Sequence, residues 1–290
     1  WVNALPEIQS GYTLRSRSVA LALRDAGLEV QAVTAAGFPK WSPRLSSPLR
    51  RDDGGLPVWR IGGTGSGIDA TAVSGHTARG LAAVVDASGT GTIVSTSPFL
   101  MAATSLAVAR SRRLKAVYEV RGFLEETWAS RAGAGAEHSE LYRAWRAAEG
   151  RAMAESDAVV TLSDGMRDEI VSRGVPAGRV YVVPNGVDVT RFAPRDADPQ
   201  LRAQLGIPPE TPVIGYIGSL VSYEGLPDLV RACAILRDRG ARFRLLIVGS
   251  GADAGRIQAA ARQASLGELF VAPGRVSHAE VVRYHALIDL

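Results

Sequence analysis

Arg179 to Pro194, RVYVVPNGVDVTRFAP, is the stretch that most constrains how this chain folds. Tyr181-Val182-Val183 is a short apolar run of β-forming residues, and Pro184 ends it because proline brings no N–H to a sheet ladder. Asn185-Gly186 follows, a pair that accepts positive φ and lets the backbone turn sharply. Before this joint, strand-like and helix-like segments alternate; after it, the same alternation starts again. Two readings fit: a crossing between two α/β domains, or a strand–loop–helix link inside one large domain. The length of 290 residues suits two domains, since single cores stop growing at roughly 250–300 residues.

Trp1 to Leu5 reads as the tail of a first strand, Pro6 to Tyr12 as a loop, and Thr13 to Ala26 as a helix closed by Gly27. Leu28–Thr34 is strand-like. Phe38–Gly55, rich in Pro, Ser and charge, predicts a loop before the strand Val58–Ile61. The glycine-rich Gly62–Gly67 leads to a helix over Thr71–Val85. Strands at Thr92–Ser95 and Ala116–Val120 flank a helix from Phe99 to Arg110. Glu137–Ala154 is helical and Ala158–Leu162 a strand, and Ser163 caps a helix over Asp164–Arg173 that Gly174 closes. Past the joint, strands at Val213–Gly218, Arg244–Gly249 and Leu269–Pro273 alternate with helices at Leu226–Arg239, Ala254–Ser265 and Ala279–Leu287. Such alternation implies parallel sheets covered on both faces, with every strand-to-helix loop on one edge.

Hydrophobic content of 46% and charged content of 21% exclude wholesale disorder. No apolar run approaches the roughly 20 residues of a membrane span. The lone Cys233 cannot form an internal disulfide, which fits a reducing compartment and predicts a cytoplasmic protein. A net charge of +4 permits anionic ligands but is too diffuse for nucleic acid. Arg110, Arg112, Arg113 and Lys115 cluster at a helix end; they are either a solvated terminus favoured by its dipole or a peripheral contact to anionic lipid. No Cys/His cluster has metal spacing, so no metal is expected. Trp1 at one end and the apolar Ala286–Leu290 at the other read as a fragment cut at both ends.

The loop PEIQSGYTLRS opens the first helix. Gly11 there lets a backbone approach a ligand, the helix N-terminus offers N–H groups, and Arg15 and Arg17 add charge; a tight turn with surface arginines fits equally. Gly249-Ser250-Gly251-Ala252-Asp253-Ala254 matches G-x-G-x-x-A between a strand and a helix, the context of a dinucleotide fingerprint. Gly65-Ser66-Gly67-Ile68-Asp69-Ala70, with Asp86 further on, matches too, but lies beyond its strand and reads as flexible loop. Asp196-Ala197-Asp198 has the D-x-D form of a metal pair, yet sits in a Pro-bounded connector and reads as solvated linker. Ser95-Thr96-Ser97 lacks the G-x-S-x-G elbow that a hydrolase nucleophile needs.

Taken together, IGYIGSLVSYEGLPDLVRA (Ile214–Ala232), FRLLIVGSGAD (Phe243–Asp253), VVTLSDGMRDEIVSRGVPAGRVYVVPNGVD (Val159–Asp188), LPEIQSGYTLRS and VYEVRGFLEETW (Val117–Trp128) resemble the retaining glycosyltransferases of family 4. The resemblance runs the whole chain in motif order. It implies an α/β GT-B fold of two Rossmann-like domains facing across a cleft, residues 1–186 on the acceptor side and 187–290 binding a nucleotide sugar, the second incomplete. By position it implies Gly11, Gly218 and Ser219 at the donor diphosphate, Gly274, Arg275, Val276 and His278 beside the base, Arg15 and Arg121 as phosphate or acceptor contacts, and Asn185-Gly186 as the hinge. Relatives with G-R-L-x-x-x-K-G carry two cations where this chain has Ser219 and Glu224. Thr96 stands where the family often has a histidine near the acceptor, and the acidic E-x7-E stretch would lie past Leu290.

The resemblance also implies the chemistry. A sugar moves from a nucleoside-diphosphate-sugar to a glycan, lipid-linked or small-molecule acceptor, the departing phosphate taking the acceptor's proton. That route needs no dedicated base, no metal and no cofactor, and no catalytic residue is assigned. Two other readings remain open: an NAD(P)-dependent oxidoreductase, from the G-x-G-x-x-A matches, and a non-catalytic nucleotide-sugar-binding protein, from Ser219 and Glu224. Finally, a doubly wound domain has about six strands in the order 3-2-1-4-5-6. With three present, Val213–Gly218 is expected as a bare apolar edge and the fragment as poorly soluble and inactive.

Overall fold

Ser10 opens α1 (Gly11–Asp25) with an extended backbone and a side-chain oxygen that accepts the Thr13 N–H, and Gly27 at φ +91° follows the helix end. The structure, a computed structural model, describes residues 10–34, 49–61 and 70–290. The expected first strand at Trp1–Leu5 and the glycine-rich Gly62–Gly67 lie outside these residues. The chain divides into two units, Trp1–Asn185 and Gly186–Leu290.

In the first unit β1 (Ala32–Thr34) pairs in parallel with β3 (Leu56–Arg60), and β2 (Leu49–Asp53) pairs antiparallel with β3. The strand β2 corrects the loop expected over Phe38–Gly55. Its residues LRRDD carry no apolar alternation; Gly54 and Gly55, at φ +61° and +85°, turn the chain into a tight hairpin, and Arg17 of α1 holds Asp53 at 2.8 Å. Then come α2 (Ala70–Ser88), β4 (Thr92–Thr96), α3 (Phe99–Arg112), β5 (Lys115–Glu119), α4 (Leu124–Ala132), α5 (Glu140–Glu155), β6 (Ala158–Thr161), α6 (Asp164–Ser172) and β7 (Val180–Val182). The strands β4-β5-β6-β7 lie in that order, all parallel. Ile93, Ala102, Tyr118, Met153, Val159 and Ile170 fill the core between this sheet and its helices. Periodicity missed α4, because its one fully buried residue is Glu125 and it meets α5 through the edge-on ring pair Trp128–Trp145 at 6.1 Å and the hydrogen bond from Tyr142 to Glu126.

The second unit holds α7 (Pro199–Gln204), β8 (Val213–Ser219), α8 (Leu226–Asp238), β9 (Arg244–Ser250), α9 (Ala254–Gln263), β10 (Phe270–Gly274) and α10 (Val281–His285). Its parallel sheet has the order β10-β9-β8. The central strand is apolar on both faces: Leu245 and Ile247 join Val230 and Ile257 on one side, while Leu246 and Val248 join Leu201 and Leu287 on the other. Burying each such side chain contributes about 1.5–3 kcal/mol. Asp198 is no solvated linker. It caps α7 by accepting from the N–H groups of Gln200 and Leu201, and its other oxygen takes Arg283 at 2.6 Å.

The edge of β8 is not bare at its start. Asp289 N–H donates to the Val213 carbonyl and Gly215 N–H to the Leu290 carbonyl, each at 2.9 Å, and the Asp289 carboxylate receives the Val213 N–H. Ile288 lies so close over Gly215 that any Cβ there would collide with it. The edge expectation therefore fails over Val213–Gly215.

Candidate functional site

Parallel strands deliver their loops to one sheet edge, and in the first unit that edge holds a pocket of about 300 Å³. Ser10, Tyr12, Thr13 and Ser16 of α1 form one wall, Thr96-Ser97-Pro98 after β4 a second, and Arg121 to Leu124 with Thr127 a third. The loops are locked to each other: Ser97 N–H donates to the Glu119 carbonyl at 2.9 Å, and Arg121 N–H donates to Ser97 Oγ at 3.0 Å.

Glu119, at the end of β5, ties these walls together. Its Oε1 accepts from Arg15 Nε at 2.7 Å and its Oε2 from Arg121 at 2.6 Å. Burial by itself raises the carboxyl; the two guanidinium groups outweigh it and hold Glu119 below the usual carboxylate range. Arg121, only 4% exposed at its side chain, also donates to the Tyr12 carbonyl and Ser16 Oγ, each at 2.8 Å. Arg15 donates onward to Asn185 Oδ1 at 2.7 Å and to the Val183 carbonyl at 3.2 Å. The structure thus brings Arg15, Arg121 and Asn185 into one network, with Gly11 between two pocket residues and open space where its Cβ would stand.

Beneath the pocket, Glu149 of α5 accepts the Tyr118 hydroxyl at 2.6 Å and the Phe99 N–H at 3.0 Å, so it caps α3 from a distance. Burial pushes the Glu149 carboxyl up, against those two hydrogen bonds, and likewise pushes the Tyr118 phenol up. Neither Asn185 nor Gly186 has positive φ, contrary to the turn expected of that pair; Arg15, not a left-handed residue, sets the exit of β7.

In the second unit Gly218 and Ser219 end β8, and Gly274 at φ +87° ends β10, with Arg275 and Val276 directly after it on the same sheet edge. Gly249 and Gly251 are explained by packing, since a Cβ on either would run into the backbone carbonyl of Gly218 or Leu220. Tyr216 reaches over Gly218, where a Cβ would come within 2.6 Å of its hydroxyl, and donates to the Ser219 carbonyl at 2.9 Å. Burial and then the nearby Glu224 charge push the Tyr216 phenol up to about 12. The His278 carbonyl accepts from Arg191 at 2.6 Å, and its ring lies 6.1 Å from Phe192; burial, then Arg191, lowers the imidazole.

Glu119, Glu149 and Tyr216 were not singled out in the sequence. The signal for Glu119 was a carboxylate inside the apolar run Val117–Val120. The basic cluster is largely matched within the chain: Arg110 pairs with Glu155, Arg112 with Asp86 and Lys115 with Asp157. Among the described residues no helix is long and apolar enough to cross a membrane, and no three His, Cys, Asp or Glu side chains converge as a metal set.

Comparison with known proteins places these units. A model of the glycosyl transferase 4-like domain matches residues 10–186, and one of the glycosyl transferases group 1 matches residues 197–290. A D-inositol 3-phosphate glycosyltransferase of Nocardia farcinica is 36% identical over 106 residues, 36% of this chain and 23% of that protein. A sucrose-phosphate synthase of Thermosynechococcus elongatus superposes over 100% of this chain and 72% of its own, with a TM-score of 0.78 and 19% identity. HepE of Anabaena, solved with UDP and glucose, covers 81% of this chain and 60% of its own, with a TM-score of 0.61 and 14% identity. At these identities the structural likeness is one of fold. The chain spans under two-fifths of the length of the first curated relatives it matches.

Proposed function

Since the chain belongs to the glycosyltransferases, with a 4-like domain over residues 10–186, a group 1 domain over 197–290 and the α/β architecture of GT-B enzymes, we propose that the complete protein moves a sugar from a nucleoside-diphosphate-sugar to an acceptor with retention of anomeric configuration. The second unit takes the donor and the first the acceptor. The observation that carries this reading is the sheet edge of the second unit, where the exposed Ser219 follows Gly218 at the end of β8 and Gly274 to Val276 follow at the end of β10, two strands across. Glycine and serine offer backbone and hydroxyl donors to a diphosphate; such donors stabilise the charge that develops as it leaves.

In the transfer, the bond from the anomeric carbon to the diphosphate breaks, the bond to the acceptor oxygen forms on the same face, and the acceptor's proton goes to the departing phosphate. Aligned donors therefore matter more than a general base. Solved relatives support a uridine nucleotide as a first donor class to try, because HepE was solved with UDP and glucose.

The oxidoreductase reading loses its ground in Gly249 and Gly251, whose absent side chains are required by the backbone of the neighbouring strand. The test is titration of the complete protein with UDP-, GDP- and ADP-sugars and, separately, with NADH. Release of a nucleoside diphosphate from one of the sugars is expected; quenching or oxidation of NADH with no such release would overturn the proposal.

A further inference from the structure

We propose that the pocket of the first unit binds an oxyanion carried by the acceptor, a phosphate or a carboxylate, with the Thr96 hydroxyl as one of its donors. The inference rests on the reading above, in which that unit takes the acceptor. Three helices begin at this pocket: Ser10, Pro98 and Phe123 are the N-cap residues of α1, α3 and α4, and all three line it. Each brings the positive end of its helix and backbone N–H groups that the helix itself leaves unused. Neither Pro98 nor Phe123 supplies a side-chain cap of its own.

Thr96 is the independent observation. It is 7% exposed and lines the pocket, yet its hydroxyl makes no hydrogen bond among the described residues. Nor is that hydroxyl among the buried polar atoms sealed off without a partner, so it keeps an opening, on a residue that lines the pocket. A hydroxyl on this wall with no partner in the chain is free to donate to a ligand oxygen in place of water.

The surrounding charges allow an anion. Among the described residues no carboxylate lines the pocket, and Arg121 does. Of the nearby acids, Glu119 is held by Arg15 and Arg121, Glu125 by Arg173 through one oxygen and Glu126 by the Tyr142 hydroxyl, while Glu149 takes the Tyr118 hydroxyl and the Phe99 N–H. Glu149 thus answers the start of α3, and Glu125 and Glu126 lie in the first turn of α4, but no carboxylate stands on the pocket wall itself.

A donor diphosphate shares this chemistry, so the experiment separates the two sources. Inorganic phosphate is titrated calorimetrically into the complete protein, into Thr96→Val and into Thr96→Ser, with and without saturating UDP, GDP or ADP. Expected are phosphate binding by the wild type and Thr96→Ser, about tenfold weaker binding by Thr96→Val, as for one lost hydrogen bond to a charged group, and no displacement by nucleotide. Equal affinity in Thr96→Val, no phosphate binding by the wild type, or displacement by a nucleoside diphosphate would each overturn the inference. The readout is binding, so donor turnover with no phosphate site would sink this inference alone, and a phosphate site without turnover would sink the proposed function.

Discussion

Arg15 of α1 donates to Asn185 Oδ1 over 2.7 Å, tying the first described helix to the last residue of its unit. The same guanidinium holds Glu119 at 2.7 Å with side-chain exposures of 13% and 7%, so one residue fixes both a pocket wall and the exit of β7. Arg15→Ala leaves Glu119 with Arg121 as its remaining partner, and a destabilisation of about 1.5–3 kcal/mol is expected, as for one lost hydrogen bond to a charged group. Urea unfolding of the complete protein reads it. A change under about 0.5 kcal/mol would place the pair with weak surface contacts instead.

Glu149 gives a pH signature. Its carboxyl is held above the ordinary value of 4.5, so the folded state favours the protonated form. That contribution is fully present below the ordinary value and is lost as pH rises through the raised one. Glu119 runs the other way: its lowered carboxyl contributes above the ordinary value, and the contribution is lost as pH falls through the lowered one. Replacing Glu149 by Gln should remove the first trend and leave the second. Melting temperatures of both proteins between about pH 4 and 8 decide it: the gap between them must change across the range, and a constant gap contradicts the assignment.

Two glycines make contrasting predictions. Gly249 sits at φ +149° with the Gly218 carbonyl where its Cβ would stand, so Gly249→Ala must move backbone. A destabilisation above about 1 kcal/mol is expected, and unchanged thermal unfolding would refute the packing account. At Gly11 nothing stands within 4 Å of an added Cβ. Gly11→Val should therefore fold, while losing donor turnover if a phosphate approaches that backbone closely; full activity in the folded variant argues against Gly11 as a donor contact.

Much of this fold was legible because apolar periodicity and capping agree. Ser163 accepts the Met166 N–H, and Gly174 has φ +94°, as the sequence pattern predicts. What escaped were features set by distant partners. The strand β2 exists through its hairpin with β3 and the Arg17–Asp53 pair, not through its own pattern. In the site, glycine positions could be read locally, whereas the Arg15–Glu119–Arg121 network joins residues 104 positions apart and has no local signal. Glu149 under Phe99 is hidden for the same reason.

Tyr216→Phe tests how the β8 edge is held. The hydroxyl stays protonated through neutral pH, since its pKa is pushed up to about 12, and it donates to the Ser219 carbonyl throughout. Losing that bond should weaken donor binding by about three- to tenfold with little change in kcat. An unchanged KM for the donor would show that Ser219 holds its place without Tyr216.

The most direct measurement is the anomeric configuration of the product. The complete protein is incubated with the nucleoside-diphosphate-sugar that it consumes and with its acceptor, and the anomeric proton of the new glycoside is followed by NMR from the first minutes. The account predicts a product with the donor's own configuration and one nucleoside diphosphate released per sugar transferred. An inverted product, or a glycoside formed with no nucleoside diphosphate released, would contradict it.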